Sequence, residues 1–291
     1  MQQFPARYEL KYRVNTAQAQ RLTASLLGIM HFDKHSTTER PRYHVRSLYF
    51  DTPTLEAYHG KLAGLRTRAK LRLRTYGEAG GIAYLELKRK EGPFIIKSRV
   101  QLPPESPWRG DGRTLLAWLR SEIGRNTPPA WLKRPLDPML ERFILWPGVS
   151  PIVVVAYDRL AFAGDGPANP RITFDYNVRG TASDKLVPAT HLRPALNGAV
   201  VLELKFTRRM PALMGALIQG HGLMAEAVSK YCAVAEASAP LYSSGTARFS
   251  DEGLAWPDTA MLYHAPHRPL RYPALGSAER PPVVGPALSP G

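Results

Sequence analysis

Three short segments of the sequence place a glutamate two residues before a lysine, with an apolar residue between the two charges. Side chains alternate between the two faces of a β-strand, so both charges of a segment share one face and the apolar neighbours share the other. The pattern predicts three strands that point an acid and a base toward the same polar space. The pairs are Glu9 and Lys11, Glu86 and Lys88, and Glu203 and Lys205.

The segment from 69 to 76 carries the densest row of cations, because Lys70, Arg72 and Arg74 share one face of the predicted strand with Tyr76. On a solvated face this row would be an ordinary basic stripe. Neighbouring like charges repel, however, and carboxylates or a polyanion must compensate them, so we expect an anionic ligand such as a phosphate chain. The row continues in a predicted hairpin with a turn at Gly80-Gly81 and further cations at Arg66, Arg68, Lys88, Lys90, Lys97 and Arg99.

The whole chain is basic. Its 291 residues include 39 Lys and Arg against 24 Asp and Glu, a formal net charge of +15, which favours nucleic acid, polyphosphate, nucleotides or acidic lipid as partners. A hydrophobic content of 44% is enough for a substantial core. Charge alone does not choose among these partners.

Several classes of protein are disfavoured by the sequence. It contains neither a P-loop nor a kinase signature, and its eight histidines lack a metal-ligand spacing. The cations lie beside carboxylates and without an aromatic-interleaved basic motif, so we expect no nucleic-acid partner. Residues 1–14 do not resemble a secretory signal, and no apolar run reaches the roughly 18 to 20 residues of a membrane span. A cytoplasmic protein is therefore the expectation.

Many short strands with few helices between them predict an α+β fold. The charged faces could point outward, but the mixture of Glu and Lys on them favours a closed antiparallel β-barrel with surrounding helices and a charged lumen. The predicted strands are Arg7–Val14, Arg42–Asp51, Ala69–Tyr76, two between Ile82 and Val100, Ile152–Phe162, Arg171–Val178 and Val200–Phe206. The predicted helical segments are Thr16–Leu27, Thr54–Ala63, Gly112–Gly124, Pro135–Leu145 and, as one long or two shorter helices, Pro211–Ala239.

Two features toward the C-terminus complete the organisation. The single cysteine, Cys232, excludes an intramolecular disulfide and is expected to be a small buried hydrophobe in a helix. Beyond Pro240 proline recurs without a period, so we expect roughly Ser243–Gly291 to be a poorly ordered tail.

Eight motifs follow one another along the chain: Tyr8-Glu9-Leu10-Lys11-Tyr12, Ser47-Leu48-Tyr49-Phe50-Asp51-Thr52, Leu71-Arg72-Leu73-Arg74-Thr75-Tyr76, Leu85-Glu86-Leu87-Lys88, Tyr157-Asp158-Arg159, Arg171-Ile172-Thr173-Phe174-Asp175, Leu202-Glu203-Leu204-Lys205 and Ser229-Lys230-Tyr231. In number and order they resemble the VTC domain, the catalytic domain of polyphosphate polymerases in the triphosphate tunnel metalloenzyme superfamily. The resemblance covers about Phe4 to Ala235. It implies a tunnel domain at residues 1–240, and residues 241–291 would be the proline-rich tail.

The resemblance implies a tunnel of antiparallel strands in which the γ-phosphate of ATP, or of another nucleoside triphosphate, is transferred to a growing inorganic polyphosphate chain. It also implies Mn²⁺ or Mg²⁺ as cofactor, with Glu203 as the metal-binding carboxylate and Tyr157 and Tyr76 at the nucleotide. The residues that would act on the reacting phosphates are Lys11, Arg72, Arg74, Lys88, Arg159, Arg171 and Lys230. Further phosphate contacts would come from Lys70, Lys90, Lys97, Lys205 and Ser229.

Simpler roles stay open for several of these residues. Lys230 could be a solvated helix lysine, Glu203 a structural partner of Lys205 or an arginine, and Tyr157 a core residue. Asp51 and Asp175 could assist the metal, but a strand-end cap or an arginine partner is the favoured interpretation of their positions.

One departure from the sister families bears on the reaction. Hydrolytic and cyclase members of the superfamily begin with Glu-x-Glu-x-Lys, whereas this chain has Arg7-x-Glu9-x-Lys11. One carboxylate fewer disfavours two-metal hydrolysis, so we rank a polymerase above a metal-dependent triphosphatase or polyphosphatase, and both above a non-catalytic polyphosphate-binding module. Relatives of this domain often work beside membrane proteins, so an association with a separate membrane protein is a further expectation.

Overall fold

The computed structural model describes residues 2–77, 81–92, 94–124, 129, 131–132, 136–146, 148–186 and 191–238, with side chains from Tyr8 onward. The predicted tail lies outside these residues, as does Gly80 of the predicted hairpin turn. Within them, no helix has the length and the unbroken apolar sequence that spanning a lipid bilayer requires.

Ten strands and six helices make up the described fold. The strands are β1 (Gln2–Val14), β2 (His31–Phe32), β3 (Arg42–Asp51), β4 (Thr67–Tyr76), β5 (Ala83–Glu91), β6 (Phe94–Gln101), β7 (Ser150–Ala163), β8 (Arg171–Ala182), β9 (Arg193–Pro194) and β10 (Val200–Phe206). The helices are α1 (Thr16–Leu26), α2 (Glu56–Leu62), α3 (Gly112–Ile123), α4 (Pro138–Leu145), α5 (Ala212–Gly220) and α6 (Lys230–Ala237).

Most predicted elements are confirmed. β3 has the predicted bounds, and the segment 211–239 contains two short helices separated by extended chain. The starts of three helices are capped by side chains. Asn15 accepts from the backbone N–H of Gln18 in α1, and Asp111 accepts from that of Thr114 in α3. Asp137 accepts from the backbone N–H groups at the start of α4. The two-residue strands β2 and β9 were not predicted, because pairs of residues carry no periodic pattern.

The antiparallel sheet is strongly curved but not closed along its whole length. Its strands pair in the order β7–β3–β4–β5–β6–β1–β10–β8, and β8 also pairs with β7. β1, however, pairs with β6 only within residues 2–7 and with β10 only over residues 8–14. The register with β6 shifts between Phe4 and Arg7, a stretch in which Pro5 has no N–H to donate. The α+β class is confirmed, and the predicted closed barrel is corrected to a sheet that stays open beside the second half of β1.

Two apolar clusters cover the outer face of the sheet. In the first, Leu71 of β4 and Leu87 of β5 pack with the buried leucines of α3 and α4. In the second, Phe174 of β8 and Leu204 of β10 pack with α1 and α5. The outer face is therefore the hydrophobic face of nearly every strand, and the charged residues are left on the inner face.

Helix α6 lies against the inner face. Its Val234 and Tyr231 pack with inward-facing residues of β3, β7, β8 and β10, among them Val45 and Val201. The approach is close at Gly180, where a Cβ would lie 2.5 Å from Cγ1 of Val234, so only glycine fits there. The inner face is thus divided into an apolar half covered by α6 and a charged half that encloses a cavity.

Candidate active site

The charged half of the inner face lines a cavity of about 520 Å³. All fifteen site residues proposed from the sequence line it: Lys11, Lys70, Arg72, Arg74, Tyr76, Lys88, Lys90, Lys97, Tyr157, Arg159, Arg171, Glu203, Lys205, Ser229 and Lys230. Strand alternation accounts for this convergence, because every strand residue among them lies on the inward face of its own strand.

Glu86 on β5 organises the cations of its two neighbouring strands, β4 and β6. Its carboxylate is fully buried and lies 2.9 and 2.8 Å from Nε and Nη2 of Arg72, 3.7 Å from Arg74 and 3.8 Å from Arg99. Lys97 makes the remaining close ion pair. Burial alone would raise the pKa of Glu86, but the charges of Lys97, Arg72 and Arg74 hold it well below its usual range. One anion therefore fixes four cations and leaves an excess of positive charge beside the cavity.

Tyrosine and serine hydroxyls orient the two central guanidinium groups further. Nη1 of Arg72 donates to the hydroxyl of Tyr49 at 3.0 Å. Arg74 donates through Nε to Oγ of Ser47 at 3.1 Å and through Nη2 to the hydroxyl of Tyr157 at 3.0 Å. Burial opposes ionisation of Tyr49, but Arg72 and Arg74 outweigh it and lower the pKa of this phenol to about 8. These contacts hold both guanidinium groups in one orientation without an added ligand.

The first and last of the Glu-x-Lys strands are neighbours. Lys11 of β1 lies directly opposite Glu203 of β10, and Glu9 lies opposite Lys205. The ammonium of Lys11 lies 3.3 Å from Glu9 and 3.7 Å from Glu203, and Lys88 donates to Glu9 at 2.7 Å. Although burial raises the pKa of Glu9, Lys88 and Lys11 lower it by more, so this carboxylate stays ionised.

Lys230, the first residue of α6, is buried between two carboxylates. Its ammonium lies 2.6 Å from Oδ2 of Asp175 and 2.7 Å from Oε1 of Glu203. Arg159 binds the same Asp175 through Nε and Nη2 at 2.6 and 2.7 Å. Burial by itself would lower the pKa of Lys230, but Asp175 and Glu203 raise it above the ordinary value. Asp175 is the arginine partner that the sequence suggested, and Lys230 is not a solvated helix lysine.

Ser229 and Asp51 fix the position of α6. The hydroxyl of Ser229 accepts from the N–H of Cys232, capping the helix, and from the ammonium of Lys70 at 3.0 Å. The hydroxyl of Tyr231 donates to Oδ2 of Asp51 at 2.5 Å. Because Asp51 also accepts from backbone N–H groups at the start of α2, it acts as the strand-end cap that its position favoured. Cys232 is buried in α6 as predicted.

Three lysines of the cavity are held with weakened basicity. Burial lowers the pKa of Lys97 to about 7, although Glu86 opposes the shift. It likewise lowers the pKa of Lys205 to about 8 against the effect of Glu203. The pKa of Lys70 is lowered to about 8 by burial. An anion that entered the cavity would restore the protonated form of all three.

The two ends of the cavity differ in chemistry. At the start of β4, Arg68 lies opposite Lys90 of β5, and Lys61 of α2 is the neighbouring cation. Within the described part of the chain, no carboxylate lies within ion-pair distance of these three cations. At the other end of β4, Tyr76 meets Tyr43 and His35 in an aromatic cluster. One end therefore presents uncompensated positive charge and the other presents aromatic rings.

Several lining residues were not proposed from the sequence. Tyr43 and Tyr49 could have been found, because they share one face of β3 with Val45 and Ser47. Lys34 and His35 lie in an irregular loop between β2 and β3, where no periodicity indicates direction. Lys61 on α2 carried no signal that separated it from a solvated helix lysine.

Comparison with known proteins gives the family. Residues 6–238 match the profile of the VTC domain. The chain belongs to the VTC domain family. This VTC domain runs from within β1 to the end of α6 and contains every residue of the candidate site. A comparison with curated proteins gives no match.

Solved structures resemble this VTC domain only distantly. A candidate adenylate cyclase from Bacillus halodurans is 13% identical, with a TM-score of 0.47 over 79% of this chain and 96% of that one. A Hippeastrum protein, a candidate adenylyl cyclase described as having a dominant triphosphatase activity, is 15% identical, with a TM-score of 0.44 over 80% and 96%. A protein from Pyrococcus horikoshii is 12% identical, with a TM-score of 0.42 over 79% and 99%. At these values the family assignment rests on the sequence profile.

The carboxylate oxygens that line the cavity are the type of ligand that a hard divalent cation prefers. Among the residues that the structure describes, no group of three or more His, Cys, Asp and Glu side chains is arranged around a common metal position. Glu9 and Glu203 nevertheless both lie within ion-pair distance of the same ammonium, that of Lys11. A metal at Glu203 would therefore take its other ligands from phosphate oxygens and water, as Mg²⁺ commonly does.

Proposed function

We propose that this VTC domain is an ATP-dependent polyphosphate polymerase. A terminal phosphate oxygen of the polyphosphate chain bonds to the γ-phosphorus of ATP, or of another nucleoside triphosphate. The bond from that phosphorus to the β,γ-bridging oxygen breaks, and the nucleoside diphosphate leaves. Because no covalent intermediate with the protein is required, the protein contributes positioning and neutralisation of charge.

The row of cations along β4 carries the proposal. Arg68, Lys70, Arg72 and Arg74 all line the cavity. Alternate residues of a strand are about 7 Å apart, so the four positions extend over about 20 Å. Arg72 and Arg74 share the buried carboxylate of Glu86. Among the residues that the structure describes, Arg68 donates to the carbonyl oxygen of Leu65, and Lys70 donates to Oγ of Ser229 and Sγ of Cys232, so neither is paired with a carboxylate. A site that stays cationic beyond the central pair suits a chain that is longer than one triphosphate.

The roles of the central residues follow from how firmly they are held. Arg72 and Arg74 have their orientation set by Glu86 and by hydroxyl groups, so they would contact the transferred phosphoryl group without reorganising. Arg159 is fixed by Asp175 in the same way. The remaining cations would neutralise the donor and the chain: Lys11, Lys70, Lys88, Lys90, Lys97, Arg171, Lys205 and Lys230.

Glu203 is the residue that would hold Mn²⁺ or Mg²⁺, with Glu9 nearby. When bound, such an ion supplies Lewis-acid stabilisation of charge on the phosphate oxygens. Lys11 and Lys230 both contact the carboxylate of Glu203. When the ion binds, their ammonium groups would either share this carboxylate with it or move toward the phosphates. Glu203→Gln should therefore raise the metal concentration needed for half-maximal activity.

A metal-dependent triphosphatase or polyphosphatase is the second candidate, because the same cations would hold a triphosphate for attack by water. A binding module without activity is the third. Arg7 in place of the first glutamate of the hydrolytic pattern favours the polymerase, since it removes one carboxylate that could hold a second metal ion.

Product analysis separates the three candidates. The purified protein is incubated with ATP and Mn²⁺, with and without a short polyphosphate primer, and the products are resolved on a polyphosphate-stained gel with assays for ADP and orthophosphate. A ladder of long chains with ADP supports the polymerase. ADP with orthophosphate alone would mean a hydrolase, and binding without turnover would mean a binding module.

A matched pair of variants ties the activity to the cavity. Arg74→Lys keeps the charge but loses the contacts to Ser47 and Tyr157, so synthesis should fall by about 100-fold or more. Arg113→Lys makes the same change on an exposed position of α3 and should leave synthesis unchanged.

A further inference from the structure

We infer that His35, stacked on Tyr76 at one end of the cavity, is the platform for the base of the donor nucleotide. The two ring centroids are 4.8 Å apart and their planes differ by 6°, a parallel stack. Tyr43 adds a third ring at 5.2 Å from His35, tilted by 48°. The inference rests on the proposed function, because it assigns the nucleoside part of the substrate whose phosphates the cations would hold.

The loop that carries His35 is anchored by a buried carboxylate. Asp33 accepts from the backbone N–H of His35 at 3.0 Å and from the hydroxyl of Tyr43 at 3.0 Å. Arg171, which also lines the cavity, contacts the same carboxylate. Asp33 is itself buried, so the loop, the tyrosine of β3 and the arginine of β8 are fixed relative to one another. A ring held in this way loses little freedom when a planar ligand stacks on it.

The position of the stack matches the geometry of a nucleoside triphosphate. Tyr76 follows Arg74 on the same face of β4, at a spacing of about 7 Å. A triphosphate held at Arg72 and Arg74 would therefore have its nucleoside beside Tyr76. One face of His35 is covered by Tyr76, while the residue as a whole is exposed and lines the cavity, which leaves ring surface for a base.

The other aromatic candidate does not offer such a surface. Tyr157 is only 2% exposed, and its hydroxyl accepts from Arg74. The charged groups of Arg159 and Lys230 lie 5.1 Å from its ring centroid. These contacts occupy the ring with cations and place it deep in the phosphate-binding part of the cavity. We therefore place the base at Tyr76 and His35, and give Tyr157 the role of orienting Arg74.

Partial desolvation of the imidazole at the cavity wall lowers the pKa of His35, with Asp33 opposing the shift, so the imidazole is neutral at neutral pH. A neutral imidazole acts here as an aromatic surface and not as a charge for phosphate. Stacking is tolerant of base identity, because every base has a π-face. The platform should accordingly accept ATP and GTP alike.

Comparison of ATP with tripolyphosphate isolates the base. Calorimetric titrations of the full chain measure both ligands, under the same metal conditions, for the wild type and for His35→Ala, His35→Phe and the control His31→Ala, an exposed histidine outside the cavity. We expect His35→Ala to weaken ATP binding about tenfold or more and tripolyphosphate binding less than twofold. His35→Phe should keep wild-type affinity for ATP, and His31→Ala should change neither ligand.

Equal weakening of both ligands by His35→Ala, or weakening of neither, would overturn the inference. So would a wild type that binds ATP no more tightly than tripolyphosphate. The test is separate from that of the reaction: a protein that shows the selective loss but makes no polyphosphate keeps its base platform and loses the polymerase assignment.

Discussion

The ammonium of Lys230 lies 2.7 Å from Oε1 of Glu203, deep in the charged cavity. Asp175 lies 2.6 Å from the same ammonium, so one cation bridges two buried carboxylates. This contact also ties the start of α6 to β8 and β10. A residue that the sequence places at the substrate therefore holds the site together as well.

Replacing Lys230 should cost stability as well as activity. Lys230→Ala leaves Asp175 and Glu203 with less compensation in a buried position, and removal of one partner of a buried ion pair costs about 3–5 kcal/mol. The free energy of unfolding, measured with urea at pH 7, should fall by that amount. Lys185→Ala, which removes an exposed lysine, should change it by less than about 0.5 kcal/mol.

The sign of the pH dependence gives a second check on Lys230. Burial alone would raise the pKa of Glu203. The charges of Lys205, Lys230 and Lys11 outweigh burial and hold this pKa well below its ordinary value. Stability from a lowered carboxylate pKa is present above the unfolded pKa and is lost as pH falls through the folded pKa. The difference between wild type and Lys230→Ala should therefore shrink in acid. A difference that is equal at pH 7 and pH 3 would contradict the ion-pair explanation.

Ligand binding should take up protons in mildly alkaline solution. Lys97, Lys70 and Lys205 have pKa values of about 7, 8 and 8, so at pH 8 a substantial fraction of each is neutral in the free protein. A bound polyanion raises these values, and we expect uptake of about one to two protons per tripolyphosphate at pH 8. Titration calorimetry in two buffers of different ionisation enthalpy measures this number.

Arginine at position 97 tests the origin of those protons. Lys97→Arg keeps the positive charge at all accessible pH values, so proton uptake at pH 8 should fall by about one. Affinity at pH 8 should be retained or increased, since the charge no longer has to be restored. Unchanged uptake would mean that other groups titrate on binding.

The carboxylate-free end of the cavity should distinguish long chains from short ones. Lys61→Ala with Lys90→Ala removes two cations that lie away from Arg72 and Arg74. We expect affinity for long polyphosphate to fall and its dependence on salt to weaken by about 0.7 to 0.9 in the logarithmic slope for each lost contact. Affinity for tripolyphosphate should change less than twofold.

Binding titrations at several salt concentrations measure both affinities. A control with Lys185→Ala and Arg113→Ala removes the same number of charges outside the cavity and should affect neither ligand. If tripolyphosphate weakens as much as the long chain, the lysines at this end belong to the triphosphate site and the assignment of a separate chain-binding end is wrong.

Much of the site could be predicted because strand alternation is a strong local signal. Arg72 and Arg74 can face only the side opposite Leu71 and Leu73, and the same rule directs Lys11 and Glu203. The number of short strands, with few helices between them, predicted the α+β class. What each charge contacts depended on which strands are neighbours, and no local pattern indicates that Glu86 serves cations from β4 and β6.

The closure of the sheet and the aromatic end of the cavity required the structure. The shift of β1 between its two partners occurs over a few residues near Pro5, and periodicity does not describe such a change. His35 lies on an irregular loop whose direction is set by Asp33, a contact between residues that are close in sequence but follow no repeat. The pattern of residues in helix α6 does not distinguish it from an ordinary helix, and only the family resemblance assigned Lys230 to the phosphates. The place of the helix on the inner face follows from tertiary packing.

The hydrogen bond from Tyr231 to Asp51 should control the position of Lys230. Burial raises the pKa of Asp51, and the hydroxyl of Tyr231 is the largest influence that opposes this rise. Tyr231→Phe removes that donor while keeping the ring against Tyr49, so the pKa of Asp51 should rise further. A carboxyl group whose pKa is raised in the folded protein destabilises the fold at pH values above that pKa. The loss of about 1–3 kcal/mol in unfolding free energy should therefore be larger at pH 7 than at pH 4.

Tyr58→Phe is the matched control for this variant, because in the part of the chain that the structure describes the hydroxyl of Tyr58 makes a single long contact, of 3.4 Å, to Glu236 near the surface. It should leave stability within about 0.5 kcal/mol of the wild type at both pH values. Tyr231→Phe should also weaken tripolyphosphate binding, because Ser229 and Lys230 directly precede Tyr231 at the start of α6. A purely structural loss would instead lower stability and leave the affinity of the folded protein unchanged. Measuring the affinity well below the unfolding temperature separates these outcomes, and an unchanged affinity would show that α6 is positioned by its apolar packing without help from Asp51.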